Sequence, residues 1–230
     1  MTVSTAPIAL VFDVNETLLD IEALEPLFAR LFGDGRVMRE WFAQLVLYSQ
    51  AITLAGIYVP FDRLGAGTLQ MVGQTHEVSV AEADIEELRS RMQEMPAHPE
   101  VAGALQRLQG AGFRMATLTN SAPDPQGGPL KRAGLDRYFE RMLSVDTVRR
   151  FKPAPDTYRS VAAALAVEPA EMCLIAAHTW DTLGAQALGC AAALVARSGN
   201  AALPVVGVPQ PDLVGPNLAA VAEKIIQRWR

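Results

Sequence analysis

In VFDVNETLLD (residues 11–20) an apolar run, Ile8 to Phe12, ends on Asp13, with Asn15 and Thr17 close behind. A helix cap does not account for this aspartate, because helical propensity resumes only several residues later. LTNS brings Thr119, Asn120 and Ser121, RRFKPAPDTY brings Lys152, and AAHTWDTLGA brings His178 and Asp181. Taken singly, Asn120 reads equally well as a turn residue and Asp181 as a helix opener. Together they mark a site, because ligands of an open parallel sheet collect at the carboxyl ends of its strands. Two chemistries fit a carboxylate there. One moves phosphate with the help of a metal ion, and the other needs no metal.

The elements that must carry these residues follow from hydrophobic periodicity. Short apolar runs at Ile8 to Phe12, Phe113 to Leu118, Met172 to Ala177 and Cys190 to Val195 have the length and composition of strands covered on both faces. Helical patterns alternate with them at Glu100 to Gln109, Pro125 to Ala133, Ala154 to Ala166 and Asp181 to Leu188, and an amphipathic helix, Leu218 to Trp229, closes the sequence. Gly112 and Gly189 stand where helices stop. Alternation of this kind predicts an α/β fold with a doubly wound, Rossmann-like parallel sheet. The stretch from Ile21 to Met95 breaks it, with helical patterns at Leu24 to Leu31, Val37 to Ala55, Leu64 to Gly73 and Ala81 to Met95. The expected organisation is a core domain of residues 1–20 and 97–230 and an inserted helical cap domain of residues 21–96.

Composition narrows the partners. The 230 residues are half hydrophobic, carry a net charge of −5 and have a pI near 5.3. An acidic chain of this kind lacks the basic footprint of a nucleic-acid binder, which leaves small molecules. Cys173 and Cys190 are expected as buried thiols in a reducing cytoplasm. The first residues show no basic stretch or cleavage site of a signal peptide. Trp41 to Phe61 carries no charge, yet Gln44, Ser49, Gln50 and Thr53 recur through it. So many polar groups are costly in lipid, and a buried amphipathic helix with its exit loop is expected instead of a membrane span.

FDVNETL, LTNS, FKPAPDTY and AAHTWDTLGA, in this order and spacing, resemble the four motifs of the haloacid dehalogenase superfamily. The resemblance runs from Ile8 to about Gly189. It implies a Rossmann-like core with a helical cap after the first strand, Asp13 as nucleophile, Lys152 as the cation beside it, Asn120 as a substrate or leaving-group binder and Asp181 as the acid of the last motif. Phosphatases of the superfamily place a second aspartate two residues after the nucleophile as a general acid, with Mg²⁺ held by carboxylates. Asn15 occupies that position and cannot act as an acid. The last motif offers one acid, and its Trp180–Asp181 pair resembles the L-2-haloacid dehalogenase branch. That branch implies a cofactor-free and metal-free reaction. Asp13 displaces halide from a 2-haloacid, and water then hydrolyses the resulting ester to a 2-hydroxy acid. It also implies a small-molecule carboxylate as ligand and a homodimer as assembly. Val14, Asn15, Thr17, Phe61, Thr119 and Trp180 are expected to face substrate. Tyr158 either serves Lys152 or the substrate, or packs on a helix face.

Three positions depart from the branch. Phe42 follows Trp41 where the family has an arginine that grips the leaving halide. Ala176 and His178 replace a serine and an asparagine, so that His178 either acts on the hydrolytic water or substitutes for the amide as a neutral hydrogen-bonding group. Asn15 replaces an aromatic. His76 and His98 read as surface or linker residues. Two alternatives stay open on sequence grounds: a Mg²⁺-dependent phosphatase of the same superfamily, and a catalytically weak carboxylate-binding homologue.

Overall fold

The computed structural model describes residues 6–124 and 128–230. Six parallel strands form one sheet: β1 (Ala9–Phe12), β2 (Arg114–Thr119), β3 (Arg141–Ser144), β4 (Met172–Ala176), β5 (Ala191–Val195) and β6 (Leu213–Gly215). Their order is β3-β2-β1-β4-β5-β6. Four helices, α1 (Glu25–Phe32), α2 (Val37–Leu54), α3 (Phe61–Thr75) and α4 (Glu82–Gln93), separate β1 from α5 (Val101–Gly110). After β2 come α6 (Gly128–Arg132), α7 (Pro155–Leu165), α8 (Thr179–Ala187) and α9 (Leu218–Trp229).

β1 lies at the centre, fully buried, paired with β2 on one side and β4 on the other. Phe12 is level with Thr117 and Ile175, so the chain leaves all three strands at the same edge. The connections turn outward in opposite directions from β1, first to β2 and β3 and then to β4 and β5. This is a topological switch point, and the crevice outside it is the natural ligand position of an open α/β sheet.

The apolar runs at Ile8, Phe113, Met172 and Cys190 become β1, β2, β4 and β5, and Gly112 and Gly189 take left-handed conformations after α5 and α8. Two strands escaped the sequence reading. β3 is largely exposed and β6 spans three residues, so neither has a continuous apolar run. The helix expected from Pro125 begins, among the described residues, at Gly128, and residues 125–127 lie outside them. No strand occurs between residues 21 and 95.

The uncharged stretch folds as the body of α2. Trp41, Phe42, Leu45, Val46, Ser49 and Thr53 are buried on one face, while Leu47 and Leu54 point outward. The polar groups have local uses: Ser49 donates to the Val46 carbonyl at 2.8 Å, and Thr53 accepts the Phe151 amide at 3.0 Å. That second bond ties α2 to the loop carrying Lys152. Among the described residues no helix is long and apolar enough to cross a membrane.

Candidate active site

Asp13 continues the β1 ladder by one bond, its amide donating to the Ile175 carbonyl at 3.0 Å. Its carboxylate thereby stands at the switch point, almost fully buried. Oδ1 accepts from Lys152 Nζ at 2.7 Å and Oδ2 from Thr17 Oγ1 at 2.6 Å. The Thr17 hydroxyl in turn accepts the Ala177 amide at 2.8 Å, joining the loop after β1 to the end of β4.

Lys152 uses its whole hydrogen-bonding capacity. Nζ also donates to Asp181 Oδ2 at 2.6 Å and to the Leu118 carbonyl at 3.1 Å, and the residue is 1 % exposed. Its backbone amide is held by Asn120 Oδ1 at 3.1 Å. Asp181 sits in the first turn of α8 and accepts from the Tyr158 hydroxyl at 2.7 Å. Tyr158 is thus linked to Lys152 through Asp181 and is buried on α7. Gly184 makes this approach feasible. A Cβ there would lie 2.4 Å from Pro153 Cβ and 2.7 Å from the Tyr158 oxygen.

Burial works against ionisation of Asp13, but the Lys152 ammonium and the neighbouring His178 outweigh it and hold the carboxyl well below its ordinary value. Burial pushes Asp181 upward and, with a smaller addition from the Asp13 charge, outweighs the lowering by Lys152 and Tyr158. Two carboxyls sharing one ammonium are thus driven apart, with Asp13 the more acidic of the two.

The other flank of Asp13 contains a group the sequence reading missed. Glu16 is buried with a left-handed backbone (φ 66°), and its carboxylate accepts from His178 Nε2 at 2.8 Å, from Asn200 Nδ2 at 2.9 Å and from Arg39. No local pattern identifies it, since its partners lie in α2, at the start of α8 and beyond β5. Arg39 thus reaches the site edge, whereas Arg36 pairs with Asp34 on the surface. His178 Nδ1 faces Asp13 Oδ2 at 3.8 Å, an ionic distance too long for a hydrogen bond. Its ring stacks on Trp180 (5.1 Å between centroids) and lies 5.5 Å from the ring of Phe42. His76 is an exposed partner of Glu40, and the half-buried His98 donates to the Glu16 carbonyl at 3.1 Å.

Val14, Asn15, Phe61 and Thr119 line a cavity of about 480 Å³ together with Leu88 and Met92 of α4. Asn15 Nδ2 donates to Ser121 Oγ at 3.4 Å. Phe61 packs against Phe151 next to Lys152. Among the described residues no group of three or more His, Cys, Asp or Glu side chains is arranged to hold a metal ion. The space between Asp13 and Asp181 is taken by Lys152 Nζ.

Sequence and structure comparisons agree with this fold. Residues 9–189 match the model of the haloacid dehalogenase-like hydrolases. The (S)-2-haloacid dehalogenase 4A of Burkholderia cepacia is 30% identical over 194 residues, covering 84% of each chain. A phosphoglycolate phosphatase of Thiobacillus denitrificans is 37% identical over 122 residues, covering 53% of each chain. The solved L-2-haloacid dehalogenase of Xanthobacter autotrophicus with chloropropionic acid covalently bound superposes with a TM-score of 0.85 at 27% identity, over 95% of this chain and 98% of that one. The chain belongs to the haloacid dehalogenase-like hydrolase family.

Proposed function

We propose that the protein hydrolyses short 2-haloacids to 2-hydroxy acids through an ester on Asp13. The observation that carries this reading is the buried Lys152–Asp13 contact of 2.7 Å, which keeps a carboxylate ionised and aimed at the crevice without a second acid two residues on. A carboxylate oxygen of Asp13 attacks C2 of the substrate. The carbon–halogen bond breaks, and halide leaves with the electron pair. Halide is a good leaving group and needs no proton, so Asn15 is no handicap. Water then attacks the Asp13 carboxyl carbon and frees the 2-hydroxy acid. Lys152 stabilises the ionised nucleophile, Asp181 and Tyr158 hold Lys152, and Asn120 fixes the Lys152 backbone. The positive charge that phosphatase relatives draw from Mg²⁺ is supplied here by the ammonium between the two aspartates, and no step needs a metal.

The substrate carboxylate is assigned to the cavity bordered by Val14, Asn15 and Thr119, and the departing halide to the aromatic side of Phe42, Phe61 and Trp180. Residues 21–96 act as a cap over this crevice. The free, buried thiols of Cys173 and Cys190 support a cytoplasmic setting, and the outward-facing Leu47, Leu54 and Ile57 support a homodimer. The test is halide release from chloroacetate and from both enantiomers of 2-chloropropionate in excess EDTA, with p-nitrophenyl phosphate and Mg²⁺ in parallel. EDTA-resistant halide release is expected. Phosphate release alone would replace this reading with the phosphatase one, and neither activity would leave a carboxylate-binding homologue.

A further inference from the structure

Nothing in the ester mechanism explains why a glutamate is buried three residues after the nucleophile, in a backbone conformation costly for any residue but glycine. We infer that Glu16 is a positioning residue that fixes His178 as the proton acceptor for the water that hydrolyses the Asp13 ester. The inference rests on the dehalogenase reading and deepens it.

The geometry specifies the histidine's orientation. Glu16 is ionised, because hydrogen bonds from His178 and Arg39 outweigh its burial, so Nε2 must carry the hydrogen it shares with Oε2 at 2.8 Å. Nδ1 is then the nitrogen turned to Asp13, 3.8 Å from Oδ2. Nδ1 is buried and has no hydrogen-bond partner among the described residues. A buried polar atom left unpaired calls for an explanation, and beside a nucleophile a reacting water supplies one. Glu16 itself cannot turn away. Its carboxylate is held by Arg39 and Asn200, and its carbonyl accepts from His98 and Arg197, each at 3.1 Å. Phe42 and Trp180 border the imidazole ring and block its rotation.

The charges around His178 change during the reaction in the sense the task requires. The groups facing it are Asp13 and Glu16 from the loop after β1, Phe42 from α2 and Trp180 from its own helix. Lys152 is engaged on the far side of Asp13, and Arg39 on the far side of Glu16. Burial disfavours the imidazolium, but the two flanking carboxylates raise the His178 pKa to about 9. Before reaction His178 is therefore a second cation beside the nucleophile, on a site wall that has Phe42 in place of an arginine. Alkylation of Asp13 makes its carboxyl neutral and removes one of the two supporting charges. Burial then favours the neutral ring, and the Nδ1 proton leaves to water along with the halide. Neutral Nδ1 next takes a proton from the water that attacks the ester carbon. The resulting tetrahedral species collapses, breaking the bond to the substrate oxygen, which takes the remaining proton of that water. Asp13 returns as carboxylate and His178 as imidazolium. The sum is haloacid plus water giving hydroxy acid, halide and one proton.

The experiment is rapid-quench halide release and intact-protein mass measurement with L-2-chloropropionate for the unaltered protein, Glu16→Gln and His178→Asn, each checked for native circular dichroism. Both variants should release about one halide per site and then stall. Steady turnover should drop roughly a hundredfold or more, the usual worth of a positioned base, while the mass gain of the ester persists. Glu16→Asp should recover part of the steady rate, which a purely structural role would not predict. Unchanged steady turnover in folded Glu16→Gln or His178→Asn would overturn the inference, as would equal loss of burst and turnover. Absence of halide release by the unaltered protein would instead overturn the dehalogenase reading, and the inference with it.

Discussion

The two flanks of Asp13 are built on opposite principles. On one side Lys152 is saturated, its ammonium donating to Asp13, Asp181 and the Leu118 carbonyl. On the other side His178 is held at one nitrogen by Glu16 and left unpaired at the other. A saturated buried cation is a fixed charge, because removing its proton would strand two carboxylates. A half-saturated imidazole between two carboxylates can change state when one of them does. The comparison separates two duties that a single lysine cannot combine, keeping the nucleophile ionised and then accepting a proton.

The comparison can be broken most severely at its centre. Asp13→Asn should lower halide release by at least about 10⁴-fold with the fold retained, as for loss of a catalytic nucleophile. Residual release above that level would remove Asp13 from the role. On the saturated flank, Lys152→Met leaves Asp13 and Asp181 buried without their shared ammonium, and denaturant unfolding at pH 7 should show a loss of about 3–5 kcal/mol. The same variant should move the acid limb of its residual activity upward, because the charge that depressed Asp13 is gone.

Gly184→Ala probes the same flank more gently. The added Cβ meets Pro153 and the Tyr158 oxygen, so about 1–3 kcal/mol of stability should be lost, read as a lower melting temperature. The half-saturated flank is expected to give the smallest stability effect and the most specific one. His178 has its folded pKa raised above the ordinary value of 6.5, to about 9. Its contribution is therefore full below pH 6.5 and lost as pH rises through about 9. Glu16→Gln removes one of the two supporting carboxylates and should shift that loss to lower pH. Unfolding curves of both proteins between pH 6 and 10 decide it, and superimposable pH profiles would contradict the assigned ion pair.

The same division governs how far each feature could be read in advance. β1, β2, β4 and β5 were legible because strands buried on both faces need continuous apolar runs. β3 and β6 were not, since edge strands relax that requirement. Asp13, Asn120 and Asp181 follow strand ends and Lys152 precedes α7, all within the motifs that carry the family resemblance, and the structure brings the four together. Tyr158, ambiguous in sequence, is buried on α7 and bonded to Asp181, not to Lys152. Phe42 read as a missing cation, and its contact with His178 became visible only in three dimensions.

By itself, then, the amino-acid sequence marked four strands of the parallel sheet and the polar residues clustered at its edge, and the family resemblance implied a lysine beside Asp13. Periodicity and motif spacing are local properties, and the twist and order of a βαβ sheet carry them to one edge. The tertiary structure alone decided the other flank. Glu16, Arg39, His178 and Asn200 are brought together only when α2 folds back over the strand ends, and the short-range sequence around Glu16 does not encode where those partners come to rest.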